Sequence, residues 1–148
     1  MMTGLEELPT HLSKLKTEDW NKLFNLIPEM EATKKFGELI IDQKGKDGVF
    51  QFPYYANDEV VDRFIDIAYK LGIVPDFDWM DWKEGKKILN NAEQDFTKLD
   101  TITLCKLLTV IIRADRFNEG FLIQNFKSGV IPKIINALQK NTFPSLLE

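Results

Sequence analysis

Apolar residues recur at the spacing of an α-helix along most of the chain. In residues 57–71, Phe64 and Leu71 fall on one side of a helix, and Gly72 follows in a position typical of a helix end. Residues 101–115 carry a longer apolar arc with the same period. Shorter patterns predict helices near residues 8–15, 17–27, 78–89, 119–127 and 131–140. The pattern therefore predicts a mainly α (α+β) domain, a bundle of about five to seven helices.

One stretch, residues 36–55, departs from the helical period. The short runs 39–41 and 49–52 consist mostly of β-favouring residues, and residues 45–48 between them (Gly-Lys-Asp-Gly) have the composition of a turn. These features predict one small β-hairpin near residues 37–54, with Pro53 ending its second strand or marking a sheet edge. Because a lone hairpin is only marginally stable, we expect it to pack on the helices.

Helix boundaries and surface ion pairs can also be predicted. Thr17 and Asn57 are each followed by two acidic residues, a pattern typical of an N-cap and a negatively charged first turn. Pro28 is expected to interrupt its helix or to restart it, because proline has no backbone N–H. Arg63 lies four residues after Glu59, so we expect these side chains to form an ion pair on the helix surface.

Length and charge narrow the class of protein. The 148 residues fit one domain, 1–148, in which residues 1–16 are expected to form a loosely attached N-terminal helix. A net charge of -4 gives little reason to expect nucleic acid or an anionic membrane surface as a partner. There is no apolar run near the ~20 residues that cross a membrane, and no signal-peptide core. We therefore expect a cytoplasmic protein that does not enter a membrane.

The scarcity of cysteine and histidine limits the chemistry further. The one cysteine, Cys105, lies in the apolar part of the longest predicted helix, where it is expected to be a small buried hydrophobe. The one histidine, His11, lies near the N-terminus, so a His-based catalytic triad is not favoured. Multi-cysteine zinc patterns and phosphate-binding glycine loops are absent from the sequence. We predict no metal site and no cofactor.

Residues 113–120 (Arg-Ala-Asp-Arg-Phe-Asn-Glu-Gly) are the first candidate site. They contain two of the three arginines in a chain with sixteen lysines, and arginine can grip a carboxylate or phosphate with two parallel hydrogen bonds. On a helix, Asp115 would face the core while Arg113 and Arg116 would lie toward the other side. Asp115 is then a cap for the next helix, a member of a buried ion pair, or a site carboxylate.

The arginines of this segment have two interpretations as well. Arg116 lies three residues before Glu119 and Arg113 two before Asp115, so the four charges could neutralise one another at a joint between two helices. Alternatively, the two arginines form an anion-binding site near the start of the following helix. Asn118 is a second candidate for the cap of that helix.

The second candidate site is an acidic and aromatic segment, residues 76–82. Asp76, Asp78 and Asp81 could bind a hard cation, but the spacing is not that of an EF-hand. The favoured alternative is that Asp78 caps a helix and Asp81 lies in its first turn. Trp79 and Trp82 lie one helical turn apart and are expected to share a face, in the core or in a groove wall. Asp78 or Asp81 could also pair with Arg113 or Arg116, a hypothesis that would bring the two segments together.

Several of these segments together resemble a known family. The carriers are residues 78–82 (Asp-Trp-Met-Asp-Trp), 99–101, 106–109 and 113–120, with 47–54 and 60–64 in the first half. They are similar to the bacterial family called domain of unknown function 6508, over about residues 36–138. The resemblance implies a single small domain of cytosolic, bacterial origin. It implies no activity and no catalytic residue.

Three hypotheses for the function follow from the sequence. The leading one is a binding or interaction module without catalytic activity, whose partner is a protein or a second copy of the chain. Its face would include Trp79, Trp82 and the segment with Arg113 and Arg116. The alternative is a small enzyme that uses the carboxylates of Asp115 and Glu119, with the same two arginines binding an anionic substrate. A nucleic-acid-linked regulator would need a basic stripe that the net charge does not suggest.

Overall fold

The computed structural model describes residues 4–41 and 53–143. Within these ranges the chain forms eight α-helices and one pair of strands. The elements are α1 (Leu8–Lys14), α2 (Thr17–Phe24), α3 (Ile27–Ala32), β1 (Gly37–Ile40), β2 (Tyr54–Asn57), α4 (Glu59–Leu71), α5 (Lys83–Asn90), α6 (Thr101–Ala114), α7 (Phe121–Lys127) and α8 (Val130–Thr142). Two 3₁₀ helices, Trp79–Asp81 and Phe96–Lys98, precede α5 and α6. The predicted fold class, mainly α with one small hairpin, is confirmed.

Helix α6 lies at the centre of the core. Six of the eight residues from 104 to 111 in α6 are apolar, and five of these are completely buried. A helix that is apolar on most of its sides has to be covered by other elements, and α7 and α8 both pack against α6. The one hydroxyl in this run, on Thr109, donates to the carbonyl oxygen of Cys105 at 2.8 Å. None of the helices in the described ranges is long and apolar enough to cross a membrane.

Three phenylalanines connect the hairpin to this helical core. The Phe36 ring stacks on the Phe126 ring of α7 with centroids 5.2 Å apart. Phe126 in turn meets Phe64 of α4 edge to face at 5.3 Å. Aromatic pairs in such geometries add to the hydrophobic stabilisation of a core. The start of β1 is therefore fixed against α7, and this contact places the hairpin beside the α6–α7 connection.

The hairpin itself uses a later second strand than the sequence indicated. Strands β1 and β2 are antiparallel, with Gly37 opposite Asn57 and Ile40 opposite Tyr54. Pro53 therefore precedes the described part of the second strand and does not end it. The predicted strand run 49–52 and the predicted turn lie partly or wholly outside the described residues.

Helix α1 is attached to the core by two contacts. Leu8 is completely buried among core residues. His11 Nε2 lies 2.7 Å from the carbonyl oxygen of Leu71, at the end of α4. These contacts join the N-terminal helix to the core and to the end of α4.

Several helix starts differ by one residue from the predictions. Helix α2 begins at Thr17, so Lys16 occupies the cap position, and its N–H donates to the Asp19 carboxylate at 2.9 Å. Helix α4 begins after Asp58, not directly after the predicted cap. A new helix, α3, begins at Ile27 with Pro28 in its first turn. The helix therefore restarts at Pro28, which is one of the two outcomes expected there.

The predicted surface ion pair on α4 is present. Arg63 Nε lies 3.8 Å from the Glu59 carboxylate, and the same guanidinium donates to Glu29 of α3 at 2.9 Å. All three side chains are partly or largely exposed. Exposed pairs of this kind contribute little to stability, so the packing described above has the larger part.

Gly72 provides a test of how α1 is attached. Its φ of 70° lies in the left-handed region, and a methyl group added there would collide with the His11 ring. We expect Gly72→Ala to lower the free energy of unfolding by about 2 kcal/mol or more, measured by urea denaturation.

Gly129→Ala is the matched control. Gly129 has a similar φ of 87°, but an added methyl group would have only Lys133 Cε near it, at 3.9 Å. The control should lose about 1 kcal/mol, from the backbone conformation alone. Equal losses in the two variants would contradict the packing of His11 on the end of α4.

Candidate binding surface at the joint between α6 and α7

The carboxylate of Asp115 caps helix α7. We call residues 115–120, between α6 and α7, the joint. Asp115 Oδ1 accepts hydrogen bonds from the N–H groups of Gly120 at 3.1 Å and Leu122 at 3.0 Å. The first N–H groups of a helix have no partner within the helix, so a carboxylate there satisfies them and suits the helix dipole. The structure therefore agrees with the cap interpretation of Asp115.

Backbone hydrogen bonds make the rest of the joint a tight turn. The N–H groups of Phe117 and Asn118 both donate to the carbonyl oxygen of Ala114, at 3.0 and 2.9 Å. The N–H of Phe121 donates to the carbonyl oxygen of Asn118 at 3.0 Å. With the backbone satisfied internally, the side chains of residues 116–119 point away from it, and all four are exposed.

The hairpin packs on the end of the joint. The N–H of Tyr55 donates to Glu119 Oε1 at 3.1 Å. The Tyr55 ring covers Gly120 so closely that a Cβ atom on that glycine would lie 2.6 Å from Tyr55 Cζ. Gly120 also has a φ of 91°, which favours glycine. The packing of β2 on the joint therefore accounts for an acidic residue at position 119 and a glycine at position 120.

The sequence left open whether the four charges of this segment neutralise one another. Among the described residues, Arg116 forms no salt bridge with Asp115 or Glu119. The two acids accept backbone N–H groups instead. Arg116 is exposed and forms no salt bridge with any described residue.

The two tryptophans diverge, because the predicted helix over residues 78–89 is broken at Trp82. The 3₁₀ helix Trp79–Asp81 ends before α5 begins at Lys83. Trp82 turns toward the protein: it packs against Gly85, and Lys106 Nζ lies 4.2 Å from the centre of a Trp82 ring. The sequence-based expectation that Trp79 and Trp82 share a face is therefore wrong.

Trp79 instead joins the acidic and aromatic segment to the joint. Its ring centroid lies 6.2 Å from that of Phe117, with the planes tilted by 38°. Phe117 is 73% exposed and Met80 is 49% exposed. We call Trp79, Met80 and Phe117 the aromatic patch. The two segments singled out in the sequence thus meet in space, through aromatic side chains and not through an ion pair.

Asp78 and Asp81 lie at the edge of this patch and interact with each other. The hydrogen bond to Asp81 and the negative charge of Asp81 raise the pKa of the Asp78 carboxyl above its ordinary value. Neither aspartate forms a salt bridge with Arg116 within the described residues. Asp78 also makes no side-chain cap. The described residues contain no group of three acidic, histidine or cysteine side chains placed to hold a metal ion.

Cys105 does not belong to any of these surfaces. It is completely buried in α6, as predicted for a small hydrophobe, and burial raises the pKa of its thiol to about 12. The thiol therefore stays protonated at neutral pH, whereas a nucleophilic cysteine needs its thiolate.

A cleft beside the joint was not predicted from the sequence. It encloses about 490 Å³ between the chain that follows α5 and the helices α7 and α8. We call it the amide cleft, because six carboxamide side chains line it: Asn90, Asn91, Gln94, Asn118, Gln124 and Asn125. The available signal was the density of Asn and Gln in two separate stretches, which nothing in the sequence brings together.

The comparison with protein families gives one match. The model of a family of unknown function, DUF6508, matches residues 15–142. This span covers most of the chain, so the protein belongs to that family, as its sequence motifs suggested. Neither the curated proteins nor the solved structures gave a match.

The capping role of Asp115 can be tested by removing its carboxylate. Asp115→Ala leaves the N–H groups of Gly120 and Leu122 without their acceptor. We expect the free energy of unfolding to fall by about 2 kcal/mol, measured by urea denaturation followed by circular dichroism.

The control variant is Glu119→Gln, which keeps an oxygen acceptor for the Tyr55 N–H. It should change the free energy of unfolding by less than about 0.5 kcal/mol. A loss in Asp115→Ala no larger than that of the control would show that Asp115 does not hold the joint.

Proposed function

We propose that this protein is a non-catalytic binding module that recognises a protein partner through the aromatic patch. The observation that carries the proposal is the exposure of Phe117, 73%, in contact with the half-buried ring of Trp79. Exposed aromatic side chains next to each other are costly for a protein in water, and they are typical of surfaces that become buried on association.

The residue types of the surface support this proposal. Tryptophan and arginine are the residues most enriched at the energetic centres of protein interfaces, and methionine and phenylalanine are enriched in interfaces generally. The patch combines Trp79, Met80 and Phe117 with the exposed Arg116 beside it. No cofactor or metal is part of the proposal.

The backbone beneath the patch also favours binding. Phe117 stands on the joint, whose N–H groups are hydrogen-bonded and whose following helix is capped by Asp115. A side chain held on a rigid backbone loses less conformational entropy on binding than one on a loose loop. The capping interaction therefore supports the binding function without contacting the partner.

Charges at the edge of the patch indicate the chemistry of the partner. Asp78 and Asp81 share a hydrogen bond, and this bond and the negative charge of Asp81 raise the pKa of Asp78. A cationic group from a partner would stabilise both carboxylates in their charged form. We therefore expect a protein that presents an apolar hollow for Phe117 with a lysine or arginine beside it. A partner with such a basic group would complement the net charge of this chain, which is -4.

The enzyme alternative has less support. It requires Asp115 and Glu119 to act as acid or base, with Arg113 and Arg116 holding an anionic substrate. Both carboxylates already accept hydrogen bonds from backbone N–H groups. The amide cleft has neither carboxylate nor either arginine among the described residues that line it. An acid–base mechanism would need these groups to converge on a substrate.

A photo-cross-linker at the patch tests the proposal directly. Benzoylphenylalanine is placed at position 117 and the chain is expressed in its native host. We expect a single protein to be cross-linked, identified by mass spectrometry, because the ring at this position would lie within the interface. Adding Trp79→Ser to the same chain should reduce the yield of this product severalfold, since it removes the neighbouring ring.

The control places the same cross-linker at position 69. Tyr69 is also an exposed aromatic residue, 38% exposed, but it lies on α4, away from the patch. Equal products from positions 117 and 69 would contradict the proposal. A product that contains two copies of this chain would show that the patch binds a second copy of the chain and not a different protein. Phe117→Ser should leave the free energy of unfolding within about 0.5 kcal/mol, so loss of binding would not reflect unfolding.

A further inference from the structure

We propose that the amide cleft binds a neutral, polyhydroxylated ligand of mono- to disaccharide size. None of the three residues of the aromatic patch lines the cleft, so this site goes beyond the protein-binding function. Its volume of about 490 Å³ is within the range of small-molecule sites.

One buried side chain in the cleft has an unused hydrogen-bonding atom. Asn125 of α7 is only 8% exposed and lines the cleft. Its Nδ2 donates to the carbonyl oxygen of Phe121 at 2.8 Å, whereas its Oδ1 accepts no hydrogen bond from the described residues. The Asn125 oxygen is open to the cleft that this residue lines, and a bound donor would satisfy it. A leucine would suit a helix at this position better. A ligand that donates to Asn125 Oδ1 accounts for the amide.

Three more amides of the cleft have no hydrogen bond from their side chains within the described residues. These are Asn90, Asn118 and Gln124, all exposed, on three different segments around the opening. The other two are already occupied locally: Asn91 Oδ1 accepts from the Glu93 N–H at 3.0 Å, and Gln94 Nε2 donates to the Asp95 carbonyl oxygen at 3.2 Å. The side chains of Asn90, Asn118 and Gln124 therefore line the same cleft as Asn125 and are open to a ligand.

The balance of donors and acceptors selects the ligand class. Lys133 is the only charged residue among the described residues that line the cleft, so neither a polyanion nor a cation finds matching charges. An apolar ligand would remove water from the amides without replacing its hydrogen bonds. A hydroxyl group both donates and accepts, as a carboxamide does, so each free amide can pair with it. The half-buried Phe121 ring offers an apolar face to the C–H groups of a sugar ring.

Nuclear magnetic resonance with the full chain tests the site. Glucose, galactose, mannose, maltose, cellobiose and adenine are titrated separately into the ¹⁵N-labelled protein. We expect at least one sugar to shift the side-chain signals of Asn118, Gln124 and Asn125 along a saturable curve, with a Kd in the millimolar range or tighter. Adenine should cause no such shift, because it carries no hydroxyl group.

Two variants separate binding from folding. The exposed pair Asn118→Ala and Gln124→Ala, made together, should weaken the affinity for that sugar by about ten-fold. Asn125→Leu should abolish binding while leaving the free energy of unfolding unchanged or higher. Asn21→Ala is the control, because Asn21 is an exposed amide on α2 outside the cleft, and its affinity should equal that of the unmodified protein.

Three outcomes of the titrations would contradict the proposed site. These outcomes are the absence of a saturable shift with every sugar, shifts that map away from the cleft, and binding of adenine alone. A large loss of stability in Asn125→Leu would show that the amide of Asn125 is structural, and retained affinity in the double variant would exclude the exposed amides as ligands.

Discussion

The interaction on which both candidate surfaces depend is the hydrogen bonding of the Asp115 carboxylate to two backbone N–H groups. The acceptor stands at the end of the most buried helix, α6, and the donors belong to Gly120 and Leu122 at the start of α7. A charged acceptor makes stronger hydrogen bonds than a neutral one. These two bonds close a tight turn between α6 and α7. Because both helices are packed in the core, the turn has a defined position.

Three features of the surface follow from that position. Phe117 stands outward in contact with Trp79, Glu119 receives the N–H of β2, and Asn118 reaches the opening of the amide cleft. Their side chains lie within three consecutive residues, yet they serve different parts of the surface. A rigid turn lets neighbouring residues point to different places reproducibly, whereas a loose loop would not. The proposed protein-binding and ligand-binding sites are therefore built on the same turn.

The sequence predicted the features that depend on local geometry. The helical period identified α4 and α6, the glycine after Leu71 marked a helix end, and the same period placed Asp115 on the core side of α6. The acids of the joint bind backbone N–H groups and not Arg116, because the fold places these N–H groups within their reach. Trp82 was misplaced because the helix breaks one residue after Asp81, which the periodicity of a short segment cannot show. The amide cleft was missed because its lining comes from segments about thirty residues apart, and only tertiary packing brings these together.

Hydrogen exchange at two amides measures the central interaction most directly. In the unmodified protein we predict slow exchange at the N–H groups of Gly120 and Leu122, because both are bonded to Asp115. In Asp115→Ala their exchange should accelerate at least ten-fold, while the N–H of Leu108, in the middle of α6, remains protected. Equal exchange rates at Gly120 and Leu122 in the two proteins would contradict the account, since the joint would then be held by something other than this carboxylate.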